Sequence, residues 1–197
     1  IMSNTHRNPT DTEINAVIKF YTSGQIEEAR AVLIRLTRKY PNEALLYNFL
    51  GVCYATLNQT EAAFGSFESA LRINPDNAEV HYNLGNTLKA CDRLNASIKS
   101  YTRALEINPF HADTHINLGN AFKGIGNIEK AVSHYEHAIQ INPSYTEAHC
   151  NLGNTLHVIG NLEAAINCYQ QALSIDPSDA EAHNCLGNTY NDLGKTD

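Results

Sequence analysis

The sequence predicts an all-α fold, a solenoid built from antiparallel helix pairs, on three observations. Pro41, Pro75, Pro109, Pro143 and Pro177 stand 34 residues apart. Between them, apolar residues recur every three to four positions, the period of a helix buried along one face. Each such run is broken near its middle by glycine, asparagine or aspartate, residues that end helices. A fixed period of this length denotes one supersecondary unit stacked on copies of itself.

Ala44, Ala78, Ala112, Thr146 and Ala180 are taken as position 1 of successive units. The first helix then carries Leu50, Leu84, Leu118, Leu152 and Leu186 at position 7, each followed by a glycine. Tyr54, Leu88, Phe122, Leu156 and Tyr190 complete its stripe at position 11. Gly126, Gly160 and Gly194 end it at position 15, with Asn58 and Asp92 as substitutes that tolerate the left-handed conformation. In the second helix Ala63, Ala131 and Ala165 recur at position 20, and Ala70, Ala104, Ala138 and Ala172 at position 27. Between them an aromatic recurs at position 24: Phe67, Tyr101, Tyr135 and Tyr169. An Asn-Pro or Asp-Pro pair after Ile73, Ile107, Ile141 and Ile175 stops this helix, because proline restrains the residue before it and has no amide donor. The next start reads as a capping box in Asp76 with Glu79, Ser144 with Glu147 and Ser178 with Glu181, whereas Phe110 with Asp113 lacks the cap.

The period divides the chain into a flexible leader (1–9), a divergent unit (10–43) with Ala16-Val17 in place of Leu-Gly, four full units (44–77, 78–111, 112–145 and 146–179) and a truncated unit with its first helix alone (180–197). The interruption after Gly194 implies a fragment of a longer protein.

A net charge of −7 leaves no basic footprint for a phosphate backbone or an anionic membrane. The stretch Ile1 to Thr12 lacks the apolar centre of a signal peptide, and no later run reaches the roughly 18 apolar residues of a membrane span. Cys53, Cys91, Cys150, Cys168 and Cys185 are odd in number and show no Cys-x-x-Cys spacing, which points to reduced thiols and a cytoplasmic location.

These residues resemble the tetratricopeptide repeat family, whose unit carries an aromatic at position 4, Leu-Gly at 7 and 8, an aromatic at 11, alanines at 20 and 27 and proline at 32. The resemblance runs from Thr10 to the end. The Asn-Leu-Gly-Asn core looks most like the repeats of the O-linked N-acetylglucosamine transferases and their bacterial relatives. The resemblance implies a right-handed superhelix whose concave face, lined by the first helices, receives an extended peptide.

If the first helix packs through positions 4, 7, 8 and 11, its positions 2, 5, 6, 9, 12 and 13 line a groove. Asn83, Asn117 and Asn151 at position 6, and Asn86, Asn120, Asn154 and Asn188 at position 9, fall on that face, where helix propensity alone favours other residues. An amide offers a donor and an acceptor together and so matches a peptide backbone without reading its side chains. The alternative is that the position-9 asparagines bond across to the neighbouring repeat. Glu79, Asp113, Glu147 and Glu181 at position 2 oppose the lysine and arginine clamp with which some family members hold a terminal carboxylate.

His81, His115, His149 and His183 recur at position 4, and His111 with His115 has the spacing of a helical metal pair. Successive copies lie a whole repeat apart, too far to share a zinc ion, so no metal or other cofactor is expected. His134 and His137 read as a solvated face without a nucleophile or carboxylate beside them. The reading is therefore a non-enzymatic scaffold for protein or peptide partners. Its alternatives are the substrate-presenting arm of a larger glycosyltransferase-like enzyme and a scaffold that self-assembles through its terminal repeats. Neither nucleic acid nor membrane is an expected partner, since the groove face also reads as lacking stacking aromatics.

Overall fold

The computed structural model describes residues 8–194. Among them lie eleven helices and no strand: α1 (Asp11–Thr22), α2 (Ile26–Lys39), α3 (Ala44–Thr56), α4 (Thr60–Ile73), α5 (Ala78–Ala90), α6 (Leu94–Ile107), α7 (Ala112–Gly124), α8 (Ile128–Ile141), α9 (Thr146–Val158), α10 (Leu162–Ile175) and α11 (Ala180–Asp192). Most of the expected flexible leader and the last three residues of the truncated unit lie outside the described residues.

The chain forms two compact units that divide between Thr87 and Leu88. In the first, α1 packs on α2, α2 on α3 and α3 on α4; in the second, α6 through α11 pack each on the next. Helix α9 also touches α7 and α11, so the first helices of consecutive repeats lie side by side there.

The turn between paired helices needs a residue at positive φ. Gly24, Gly126, Gly160 and Gly194 supply it at 74–81°, and Asn58 and Asp92 adopt it at 56° and 57°. The glycine at position 8 answers a different demand. A Cβ on Gly119 would stand 2.6 Å from Cε1 of Tyr135, and one on Gly51 would stand 2.5 Å from the Phe67 ring. The aromatic of the second helix thus rests on bare backbone of the first, and Phe67, Tyr101, Tyr135 and Tyr169 are all buried. Ala63, Ala131, Ala165 and the position-27 alanines are buried as well, which lets the helices approach closely. Phe67 centres one cluster with Ala44, Ala63, Ala70 and Val80, and Leu33 another with Val17, Leu46 and Leu50.

The expected capping boxes at Ser144 and Ser178 do not form, and α5, where Asp76 was expected to cap, starts like α9 and α11 one residue later than the expected boxes require. The Asn-Pro or Asp-Pro pair is the reason. Asn74, Asn108, Asn142 and Asp176 each accept the amide two residues on, at 2.9–3.3 Å, which keeps the residue after proline inside a turn. The cap passes to the following residue. Asn77 accepts the amides of Glu79 and Val80, His111 that of Thr114 and Asp179 that of Ala182, while Tyr145 has no side-chain cap. A full capping box occurs instead between Thr10 and Glu13, at the start of α1.

Candidate functional site

The asparagines divide by position into two hydrogen-bonding roles. At position 9, Asn120 accepts the Tyr135 hydroxyl and Asn154 that of Tyr169, each at 2.7 Å. These bonds join the two helices of one repeat rather than adjacent repeats. Burial pushes the Tyr135 phenol up to about 12, so it remains a donor at neutral pH. The amide nitrogens of Asn120 and Asn154 have no acceptor among the described residues. Both side chains are partly exposed, and Asn188 is exposed.

At position 6 the carbonyl end is the one left over in two of three cases. Asn83 donates through Nδ2 to the side-chain oxygen of buried Asn48 at 3.1 Å, and Asn151 through Nδ2 to Glu147 at 3.4 Å. The side-chain oxygen of Asn117 instead accepts Lys89 Nζ. Lys89 is half-buried, and desolvation lowers its pKa. Asn86 is partly buried on the same face of α5.

In the first unit the equivalent face is apolar. A hollow of about 360 Å³ opens between α1, α3 and α5, lined by Ile18 and Tyr21, Phe49 and Val52, and on its rim Glu79 and Asn83. Ile18 and Tyr21 are 43% and 38% exposed despite their apolar bodies. Phe49 and Val52 occupy the positions held by asparagine in later repeats. The expectation that this face lacks aromatics is therefore wrong. The signal was present in α3, which carries no charged residue anywhere on its surface. A helix apolar all round needs a partner on each side.

The position-4 histidines have a structural task. Nε2 of His81, His115, His149 and His183 lies 2.9–3.2 Å from the carbonyl of Pro75, Pro109, Pro143 and Pro177 respectively. A carbonyl can only accept, so Nε2 carries a proton in each. His134 is not a solvated residue. It stacks on Phe122 and its Nδ1 lies 3.1 Å from Nδ1 of His115. With Nε2 of His115 protonated, neutral His115 accepts there and His134 donates. Burial, with His115, His137 and Lys130 nearby, holds the His134 pKa down to about 4. Among the described residues no group of three or more His, Cys, Asp or Glu is arranged to hold a metal ion.

Stacked helix pairs with one face of each first helix left uncovered define a helical-repeat protein of the kind that presents a surface to other molecules. Tetratricopeptide repeat models match residues 15–78, 76–144 and 134–167, and a TPR repeat model matches 159–194. The chain belongs to the tetratricopeptide repeat family.

Solved structures with the same fold include MamA, 25% identical, covering 84% of this chain and 96% of its own with a TM-score of 0.76. YrrB, described as a TPR protein with an unusual peptide-binding site, is 23% identical over 89% of this chain and 91% of its own, with a TM-score of 0.72. Pseudomonas aeruginosa pilF is 18% identical over 94% and 84%, with a TM-score of 0.85. No curated protein sequence matches the chain. No helix among the described residues is long and apolar enough to cross a membrane.

Proposed function

We propose that the chain is a protein interaction module that holds an extended peptide along the first helices of its repeats, through Asn83, Asn117 and Asn151 with help from Asn86, Asn120, Asn154 and Asn188. The observation that carries this reading is the division of labour within one helix. Among the described residues Asn151 leaves its side-chain oxygen without a partner and Asn154 its side-chain nitrogen, three residues apart on one face of α9. An extended peptide presents its own N–H and C=O in alternation, so paired acceptor and donor suit its backbone whatever its side chains. The peptide-binding site of YrrB supports the same use of this fold.

The test is the triple variant Asn83→Ala, Asn117→Ala, Asn151→Ala against an immobilised array of arbitrary extended peptides. Retained helicity with loss of capture is expected; undiminished capture overturns the reading. No cofactor, nucleic acid or membrane enters it, and it assigns no catalysis to this segment.

The Asn-Leu-Gly-Asn core at 83–86, 117–120 and 151–154 favours a second reading, an arm that presents substrates to a glycosyltransferase-like catalytic domain encoded beside it. A gene sequence without such a domain ends that reading. Self-assembly through terminal repeats is a third reading, in which contacts of the kind α9 makes with α7 and α11 recur between copies. Light scattering that stays monomeric across concentration counts against it. A reducing compartment such as the cytoplasm suits the free thiols of Cys53, Cys150, Cys168 and Cys185. Burial pushes the Cys53 thiol up to about 11, so it is a packing group rather than a nucleophile.

A further inference from the structure

We infer that the hollow between α1, α3 and α5 is an anchor site for one bulky apolar side chain of a peptide whose neighbouring residues are lysine or arginine. The inference rests on the reading of this face as a peptide groove and names what its first unit selects. Ile18, Tyr21, Phe49 and Val52 surround about 360 Å³, a volume within the range of roughly 300–1,000 Å³ typical of pockets that bury an apolar group. Asparagines at positions 6 and 9 of later repeats are replaced here by Phe49 and Val52, so backbone capture gives way to side-chain burial.

Charge decides what flanks the anchor. Glu79 is the single charged residue among those lining the hollow, and it is acidic. It forms no ion pair among the described residues. A cation beside the anchor meets uncompensated negative charge, whereas an acidic neighbour is repelled.

The test measures fluorescence anisotropy with three labelled peptides: Gly-Lys-Lys-Leu-Lys-Lys-Gly, the same with glutamates for lysines, and the lysine peptide with serine for leucine. Lysines on both sides make the result independent of chain direction. The first peptide is expected to bind at least about tenfold more tightly than either of the others. Val52→Asp and Ile18→Asp should each remove that advantage, and Glu79→Lys should shift preference toward the glutamate peptide, whereas Asn117→Ala with Asn151→Ala should weaken all three peptides alike and leave their ratio unchanged. Far-UV circular dichroism accompanies each variant, and Val52→Thr replaces Val52→Asp if the latter unfolds.

Equal binding of all three peptides, or of the lysine peptides with and without leucine, overturns the inference. A dimer that Val52→Asp dissociates also overturns it, because a second copy then fills the hollow. Loss of binding in the Asn117/Asn151 variant with Val52→Asp unaffected leaves the asparagine groove standing and removes the anchor. The reverse pattern keeps the anchor and removes the asparagine groove.

Discussion

The Tyr135 hydroxyl donates to the side-chain oxygen of Asn120 across the two helices of one repeat, at 2.7 Å. One amide thereby serves the fold with its oxygen and leaves its nitrogen to the groove. Tyr135 also interacts with Thr155 of the next repeat, so its hydroxyl keeps a partner when Asn120 is removed. Asn120→Ala should therefore cost only about 1 kcal/mol, and Tyr135→Phe a similar amount. The double variant should cost little more than either single one, because the two share one bond. Urea unfolding reads all three. Asn151→Ala, whose one side-chain bond is the long contact with Glu147, should stay within about 0.5 kcal/mol.

Glycine at position 8 is required only where an aromatic covers it. Gly119→Ala drives a methyl into the buried Tyr135 ring, which its hydroxyl bond holds in place, and should cost about 1–3 kcal/mol. Gly187 sits at the equivalent position of α11 with nothing within 4 Å of an added Cβ. There alanine should stabilise the helix by roughly 0.5–1 kcal/mol. Thermal unfolding of the two variants should move in opposite directions, and a parallel shift contradicts the packing argument.

The His115 and His134 pair predicts acid sensitivity. Both are depressed by burial below their ordinary value of 6.5, His134 to about 4. The unfolded chain then binds more protons than the folded one, so the stabilisation is complete above about pH 6.5 and is lost as pH falls toward 4. A proton on His115 enters at its Nδ1 and places two N–H groups face to face at that contact, whereas a proton on His134 enters at Nε2 and acts through the desolvation of its charge. Melting temperature should fall across that window, and His134→Gln should flatten the fall. A variant with an unchanged pH profile rules the pair out as its source.

The turn before α9 is held from two sides, by Asn142 accepting the Ser144 amide and by His149 donating to the Pro143 carbonyl. His149→Phe keeps the ring but loses the donor, and Asn142→Ala loses the acceptor. Each should cost about 0.5–1.5 kcal/mol by denaturant titration.

Much of this was legible locally. Asn58 and Asp92 were readable as left-handed turn residues because that conformation depends on the residue itself. The cap at Asp179 was not readable in place of Ser178, since it depends on Asp176 holding the Asp-Pro turn open by one residue. The aromatic position 24 and glycine position 8 were each visible in the repeat, but their contact was not, because ring and backbone meet only after the chain has turned back.

By itself the sequence determined the 34-residue period, the helix pairs, their stops and the asparagine positions, since all of these follow from spacing and from the conformational limits of single residues. Tertiary structure alone decided which end of each amide is engaged, that His134 packs on His115 and Phe122, and that Ile18, Phe49 and Val52 share one hollow. Those outcomes depend mostly on contacts between side chains 12 to 35 residues apart, whose partners only the packing of helices selects.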